Sequence, residues 1–92
     1  MHYLWDETKR RSNLADHQFD FCDVALVFGG VTFSFQDDRF DYGEARFVSL
    51  GVLYGTVVSI VHTENENEIR IISFRKATRR EINIYREEIA RY

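Results

Sequence analysis

The 92-residue sequence contains no proline and only one cysteine, Cys22. A single cysteine excludes an internal disulfide and a thiolate metal site, so the cysteine usage gives no sign of an oxidising compartment. No run approaches the roughly 20 apolar residues of a membrane-spanning helix, and no signal-peptide pattern opens the chain. Since repeats, linkers and low-complexity tracts are also missing, we expect a single cytoplasmic domain over residues 1–92 with no membrane partner.

The motifs of several enzyme classes are also missing. His2, His17 and His62 have no close metal-ligand spacing, and the acidic segment 37–41 matches no calcium-loop pattern. There is no glycine-rich phosphate loop and no serine in a nucleophile elbow. We therefore expect no metal ion and no cofactor, and neither nucleotide hydrolysis nor serine hydrolase chemistry.

What the sequence does contain is an uneven distribution of charge. Residues 1–69 carry a net charge of −7 and residues 70–92 a net charge of +4, which together give the formal −3 of the chain. Such asymmetry indicates a negatively charged partner, although a solvated helix start explains the same charges equally well. The basic residues concentrate in the eleven-residue stretch 70–80, which contains no acid: Arg70, Arg75, Lys76, Arg79 and Arg80.

The first third of the sequence has the pattern of a short strand followed by two helices. A strand is predicted over residues 1–4 and a polar helix over about 7–16, with Asp6 as its N-cap. Asp20 is predicted to cap a second helix, which Gly29-Gly30 ends. The helical period of the second helix predicts an apolar face made of Phe21, Val24, Ala25 and Phe28.

From residue 31 the hydrophobic period changes to that of strands, and a helix follows at the end of the chain. Short turns, one of them around Gly51 and Gly55, favour an antiparallel meander of four strands. The C-terminal helix is predicted to begin with a capping box formed by Thr78 and Glu81, and its apolar stripe includes Tyr85. The predicted strands cover 31–35, 44–50, 56–62 and 69–74, and the full stripe is Ile82, Tyr85, Ile89 and Tyr92.

The order of these elements predicts an α+β fold. We expect a small antiparallel sheet of about four strands, with two N-terminal helices and one C-terminal helix packed on one face of it. Alternation along the last strand predicts that two sets of side chains point to opposite faces. One set is Ile69, Ile71 and Ser73, and the other is Arg70, Ile72 and Phe74.

One polar patch is predicted at the end of the last hairpin. The turn at residues 64–67 would place His62 across from roughly Arg70, and Glu64 across from roughly Ile69. An imidazole, a carboxylate and guanidiniums would then lie together. RNA cleavage without a metal needs these groups, because a base takes the 2′-OH proton, cations stabilise the phosphorane charge and an acid protonates the leaving 5′ oxygen.

Each residue of this patch also has a purely structural interpretation. A histidine at a strand end, such as His62, is more often structural than catalytic, and Arg70 can pair with Glu44 or Glu64 instead of phosphate. Tyr85 is predicted to lie in the core with its hydroxyl at the rim. The strongest phosphate candidates lie around the predicted helix N-terminus, where free N–H groups add to the attraction. They are Arg75, Lys76 and Arg79.

Several short motifs occur in the order and spacing of a known protein family. They are Trp5-Asp6 with Lys9 and Asn13, His17 followed by Phe21, Asp37 with Arg39, Gly43 to Phe47, Gly51, Val61 to Glu64, Arg70 to Ser73, Arg75 to Thr78, Glu81 and Tyr85. Through them the sequence resembles the BrnT family of ribonuclease toxins along nearly its whole length.

The resemblance implies a fold similar to that of RelE-type toxins and a function as a metal-independent endoribonuclease toxin that inhibits growth. It implies RNA as substrate, with a 2′,3′-cyclic phosphate as product, and a BrnA-like antitoxin with a ribbon-helix-helix domain as partner. Operator DNA would be bound only through that antitoxin. The antitoxin is also an alternative partner for the basic stretch 70–80. The alternative function is that of a non-catalytic co-repressor acting with the antitoxin.

The resemblance also suggests roles for individual residues. Thr78 and Glu81 are expected to be structural caps. The expected catalytic residues are His62, Glu64, Arg70, Arg75, Lys76 and Tyr85. The expected RNA-binding residues are Arg75, Lys76, Arg79 and Arg80.

Overall fold

The residues that the structure describes form a five-stranded mixed sheet with three α-helices, so the fold is α+β as predicted. The computed structural model describes residues 2–39 and 43–91. The helices are α1 (Glu7–His17), α2 (Val24–Phe28) and α3 (Arg79–Ile89), and a 3-10 turn at Phe21–Asp23 precedes α2. The strands are β1 (His2–Leu4), β2 (Phe33–Asp37), β3 (Arg46–Leu53), β4 (Thr56–Glu64) and β5 (Glu68–Lys76).

The predicted strand at the start of the chain joins the sheet, which was expected to contain only the other four strands. Strands β2 to β5 form the expected antiparallel meander, and the order across the sheet is β1-β5-β4-β3-β2. The additional strand, β1, pairs in parallel with β5, with His2 opposite Glu68 and Leu4 opposite Arg70. A three-residue strand paired with a segment more than 60 residues away leaves no local signal of its pairing. The sheet is therefore mixed and not purely antiparallel.

The helices pack on both faces of the sheet, so the prediction of helices on one face was wrong. On one face, here called the α2 face, Val24 and Val27 pack with Ile60 of β4. On the other, the α3 face, Tyr85 packs with Leu50 of β3. Central strands carry apolar side chains on both faces, as sheets covered on both sides do. The physical reason is visible in β4, where the consecutive apolar pairs Val57-Val58 and Ile60-Val61 place apolar side chains on both faces.

Two predicted N-caps are confirmed, but the second helix is shorter than expected. The Asp6 carboxylate accepts a hydrogen bond from the Thr8 backbone N–H (2.8 Å), and that of Asp20 accepts one from the Cys22 N–H (2.9 Å). The buried side chains after Asp20 are Phe21, Val24 and Val27, whereas the predicted Ala25 is exposed. A spacing of three residues fits the 3-10 turn that opens this segment.

Strand β3 continues through Gly51, where we had predicted a turn. A Cβ atom at Gly51 would lie 2.6 Å from Cγ1 of Val27, so glycine allows α2 to pack closely on β3. The turn follows at Tyr54 and Gly55, whose φ angles are +47° and +82°. Positive φ at both central residues is typical of the tight turn that joins twisted antiparallel strands.

A β-bulge in β5 changes the faces on which its side chains lie. Val61 lies opposite Ser73 and His62 opposite Ile71, which leaves Ile72 as an extra residue. The bulge therefore shifts the alternation by one position. The predicted division was wrong: Ile69, Ile71 and Phe74 share the core of the α2 face, and Arg70, Ser73 and Arg75 lie on the α3 face.

Three sequence predictions extend beyond the described residues. They concern Met1 of the first strand, part of the acidic segment 37–41 and Tyr92 of the helical stripe. No helix in the described part of the chain is long and apolar enough to cross a membrane.

Candidate active site

A groove of about 400 Å³ lies on the α3 face, between the start of α3 and the end of β2. Apolar side chains of three neighbouring strands form part of its lining, namely Phe35, Val48 and Val61. Polar side chains surround them, and we call this depression the α3 groove. Its polar lining consists of Gln36, Asp37, Asp38, Arg39, Arg75, Thr78, Arg80 and Glu81.

Arg75 is held in the α3 groove by a two-pronged ion pair with Glu81. Its Nη1 and Nη2 atoms donate to the two Glu81 carboxylate oxygens at 2.8 and 3.1 Å. Nη1 also donates to the Lys76 carbonyl at 3.2 Å, which fixes the plane of the guanidinium. About a third of the Arg75 side chain, 32%, stays exposed to the groove. A planar guanidinium fixed on one edge and open on the other is suited to bind phosphate.

Glu81 has two structural tasks at once. It completes the predicted capping box, since its carboxylate accepts from the Thr78 backbone N–H (2.8 Å) and the Thr78 hydroxyl accepts from the Glu81 N–H (3.2 Å). Partial burial raises its pKa, but the hydrogen bonds from Arg75 and Thr78 outweigh burial and lower the pKa of Glu81 below its ordinary value. Glu81 is therefore ionised at neutral pH and positions Arg75, which the capping motif alone did not predict.

Positive and negative side chains balance in the described lining of the α3 groove. Three guanidiniums face three carboxylates there, so the groove has no net charge by itself. Asp37, which is buried, accepts hydrogen bonds from Nε and Nη2 of Arg39 at 2.9 and 3.2 Å. Arg80 is exposed and makes no ion pair with any residue that the structure describes. The groove thus combines a guanidinium held by Glu81, an exposed guanidinium and a buried carboxylate.

A second, smaller depression lies at the hairpin end of the sheet, where Glu64 and Arg70 are found. Arg70 donates to Glu44 at 2.6 Å, which settles its pairing in favour of Glu44. About half of the Arg70 side chain, 53%, is exposed. Thr63, opposite Arg70, lies on the same strand face as Val61 of the groove lining.

Lys76 and Arg79 lie on the other side of α3, away from the α3 groove. They line a surface depression together with Asn83 and Arg86, and no carboxylate contributes to it. Arg79, Asn83 and Arg86 share one side of the helix because they are four and three residues apart. We call Lys76, Arg79 and Arg86 the basic strip. Lys76 is the last residue of β5 and lies two positions before Thr78, the N-cap of α3.

His62 is a core residue on the α2 face. It is 2% exposed, its Nε2 lies 2.7 Å from the Ser49 hydroxyl, and its ring packs against Phe28 and Phe47. Its backbone lies opposite Ile71, not Arg70. The imidazole is thus on the opposite side of the sheet from the α3 groove, and the expected patch of imidazole, carboxylate and guanidiniums is not formed.

Burial of His62 predicts a loss of stability at mildly acidic pH. Burial lowers the pKa of His62 below its ordinary value near 6.5, against an opposing effect of the Glu64 charge. The folded state therefore favours the neutral ring. Above pH 6.5 this group adds no pH dependence, and below it the free energy of unfolding falls by up to about 1.4 kcal/mol per pH unit until the folded-state pKa is reached. Urea unfolding between pH 7.5 and 5.5 measures this slope.

The variant His62→Gln keeps a hydrogen-bonding group near Ser49 but cannot titrate, so its slope should be flatter than that of the wild type. The matched control is His17→Gln, because His17 is exposed at the end of α1. Its slope should equal that of the wild type. Equal slopes in all three proteins would contradict the assignment of the pH dependence to His62.

Tyr85 occupies the core position that its place in the helical stripe predicted. Its side chain is buried against Leu50 and Val48, and its hydroxyl donates to the Val31 carbonyl at 2.8 Å. The hydroxyl is therefore occupied in tying α3 to the start of β2. This contact gives Tyr85 a structural role, and it does not line the α3 groove.

The structure thus divides the predicted site residues among four places. Arg75, Arg80, Thr78 and Glu81 line the α3 groove. Glu64 and Arg70 lie at the hairpin end, Lys76 and Arg79 in the basic strip, and His62 and Tyr85 in the core. Among the described residues, no group of three or more histidines, cysteines and carboxylates is placed to hold a metal ion.

The predicted site omitted Asp37 and Arg39. Both were visible in the sequence as part of a matching motif, but Asp37 lies outside the predicted strand 31–35. It is the last residue of β2, on the same face as Phe33 and Phe35. Continuing the alternation from these two residues would have placed Asp37 on the face that the C-terminal helix covers.

Comparison with models of known protein families gives a match over most of the chain. Residues 5–81 match the family model described as "Ribonuclease toxin, BrnT, of type II toxin-antitoxin system". The matched segment includes the groove residues Arg75, Arg80 and Glu81, and also Asp37 and Arg39. No curated protein matches the chain.

Proposed function

Because this chain belongs to the BrnT family of ribonuclease toxins of type II toxin–antitoxin systems, we propose that it is an endoribonuclease that cleaves RNA at the α3 groove without a metal ion. The proposal includes the RelE-like relationship of the fold, action in the cytoplasm and inhibition of growth. The observation that carries it is the Arg75 guanidinium, held by Glu81 in an open groove with its remaining donors free for a phosphate.

In the proposed reaction the RNA supplies its own nucleophile. The 2′-OH loses its proton to a groove carboxylate, for which the buried Asp37 is the candidate, and its oxygen attacks the adjacent phosphorus. The bond from phosphorus to the 5′ oxygen breaks, and water protonates that oxygen. The products are a 2′,3′-cyclic phosphate and a free 5′-OH.

Arg75 and Arg80 stabilise the negative charge that develops on the phosphorane. Preorganised donors of this type often provide a large part of the rate enhancement, because they need no reorganisation during the reaction. Arg75 is preorganised by Glu81, while Arg80 is free to move onto the phosphate. Glu64 and Arg70 are proposed to contact the RNA that continues towards the hairpin end.

The proposed antitoxin is BrnA-like, and its ribbon-helix-helix domain is the part of the toxin–antitoxin complex that binds operator DNA. The chain carries net charge of opposite sign in its two segments, and the basic segment 70–92 forms the groove wall and the basic strip. An antitoxin that covers the groove would block RNA by direct competition.

The test is cleavage of a single-stranded RNA oligonucleotide by the purified chain in the presence of a metal chelator. We expect cyclic-phosphate products, and no cut at a nucleotide whose 2′-OH is replaced by hydrogen. Induced expression should stop growth, and co-expression of the antitoxin should restore it. Intact RNA together with unimpaired growth would contradict the proposal. Such a result would favour the alternative function, that of a non-catalytic co-repressor acting with the antitoxin.

A further inference from the structure

The cations of the C-terminal segment form two surfaces that α3 separates. Arg75 and Arg80 line the α3 groove, whereas Lys76, Arg79 and Arg86 form the basic strip on the other side of the helix. Arg79 and Arg80 are neighbours in the first turn of α3, so the two surfaces meet there.

The two surfaces differ in charge. The described lining of the α3 groove contains equal numbers of guanidiniums and carboxylates, so the groove offers a polyanion no net attraction. The lining of the basic strip contains no carboxylate, and its three cations are exposed and make no ion pair with any described residue. In a chain of formal charge −3, a local excess of cations is needed to bind a polyanion.

We propose that the basic strip is a second RNA-binding surface, which holds the phosphates of the strand that leaves the α3 groove over the first turn of α3. The strip supplies affinity, and the groove supplies the chemistry. This inference rests on the proposed function for its substrate. Arg79 and Arg86 are seven residues apart on α3, so they span about 10 Å and can contact successive phosphates.

RNA fits this surface because the strip is a row of separated cations joined to the reaction groove. A phosphate backbone carries a negative charge at each nucleotide, so a row of cations can bind it without base-specific contacts. Interactions that bind substrate and transition state equally well lower KM without raising kcat. The strip and the groove should therefore be separable by kinetics.

The test compares two triple variants of equal charge. The strip variant carries Lys76→Gln, Arg79→Gln and Arg86→Gln. The control carries Lys9→Gln, Arg11→Gln and Arg91→Gln, all at exposed positions away from both surfaces. Each lowers the formal charge of the chain by the same amount, and glutamine keeps a helix propensity close to that of lysine and arginine.

Binding is measured by fluorescence anisotropy with a 2′-O-methyl RNA oligonucleotide, which lacks the nucleophile and cannot be cleaved. The strip variant should bind about tenfold more weakly, and the slope of log K against log salt should fall by about 2, since each phosphate contact contributes about 0.7 for a single strand. In cleavage assays its KM should rise about tenfold with kcat within about twofold of wild type. The control should keep the wild-type slope and KM within about twofold.

Three results would overturn the inference. One is unchanged affinity and salt slope in the strip variant, and another is an equal loss in the control, which would indicate a general charge effect. The third is unchanged RNA binding with weakened binding of the antitoxin, which would assign the strip to that protein. The binding assay needs no turnover, so a chain that fails to cleave RNA would contradict the proposed function without deciding this inference.

Discussion

Replacement of Arg75 by alanine is expected to lower kcat for RNA cleavage by roughly 10²-fold or more, the usual cost of losing one preorganised donor to a developing negative charge. KM should change less, because the proposed contact strengthens as charge accumulates on the phosphorane. Single-turnover cleavage of a labelled oligonucleotide measures this effect without interference from product release. Growth on induced expression should recover in parallel.

Two further variants show whether the geometry of the guanidinium matters. Arg75→Lys keeps the charge but loses the two-pronged contact with Glu81, so it should recover only a small part of the activity. Glu81→Gln keeps an acceptor for the Thr78 N–H and removes the charge that holds Arg75. It should lower kcat while leaving the helix cap largely intact.

Stability is the necessary control for these variants, because Arg75→Ala leaves the partly buried Glu81 without its partner. Each variant is therefore assayed well below its own unfolding temperature. Wild-type turnover in folded Arg75→Ala would refute the role assigned to Arg75. Equal activity of the alanine and lysine variants would indicate that this position contributes no charge stabilisation.

Local signals in the sequence predicted the local parts of this fold. Asp6 caps α1, and Thr78 and Glu81 form the capping box of α3, because a cap is a contact between residues two or three positions apart. The antiparallel meander was predictable for the same reason, since short turns join consecutive strands.

Long-range pairing and alternation across the bulge were not predictable. The extra residue Ile72 reverses the faces on which the side chains of β5 lie. No residue type in this stretch indicates a bulge. The reversal places Phe74 in the core and Arg75 in the α3 groove. The sequence therefore indicated the chemistry of the candidate site better than its geometry, and His62 was assigned to a surface from which the sheet separates it.

Replacement of Asn13 by alanine is expected to lower the free energy of unfolding by about 3 kcal/mol or more, because it leaves buried backbone groups unpaired. Asn13 is 6% exposed, and its side chain bonds to Phe74 in both directions: Nδ2 donates to the carbonyl (2.7 Å), and Oδ1 accepts from the N–H (3.0 Å). Nδ2 also donates to the Phe19 carbonyl at 3.0 Å. The Asn13 amide thus takes the place of a neighbouring strand for β5 beyond Arg70, where β1 ends.

The isosteric variant Asn13→Asp separates hydrogen bonding from packing. At neutral pH a carboxylate oxygen would face the Phe74 and Phe19 carbonyl oxygens, so the variant should be at least as unstable as Asn13→Ala. Such surroundings favour the protonated acid, which raises the pKa of the introduced carboxyl above that in the unfolded chain. The difference in free energy of unfolding between Asn13→Asp and the wild type, compared at the same pH, should therefore become smaller as the pH falls from 7.5 to 5.

The matched control is Asn83→Ala, at an exposed position of α3 without a side-chain hydrogen bond to the described residues, where the change should stay within about 0.5 kcal/mol. Urea unfolding measures all three variants. An Asn13→Ala protein as stable as the wild type would show that water replaces the amide at this edge.

Arg75 follows Phe74 directly, so the same bonds also hold the strand that carries Arg75 into the α3 groove. Folded Asn13→Ala should therefore cleave RNA more slowly than the wild type at the same temperature.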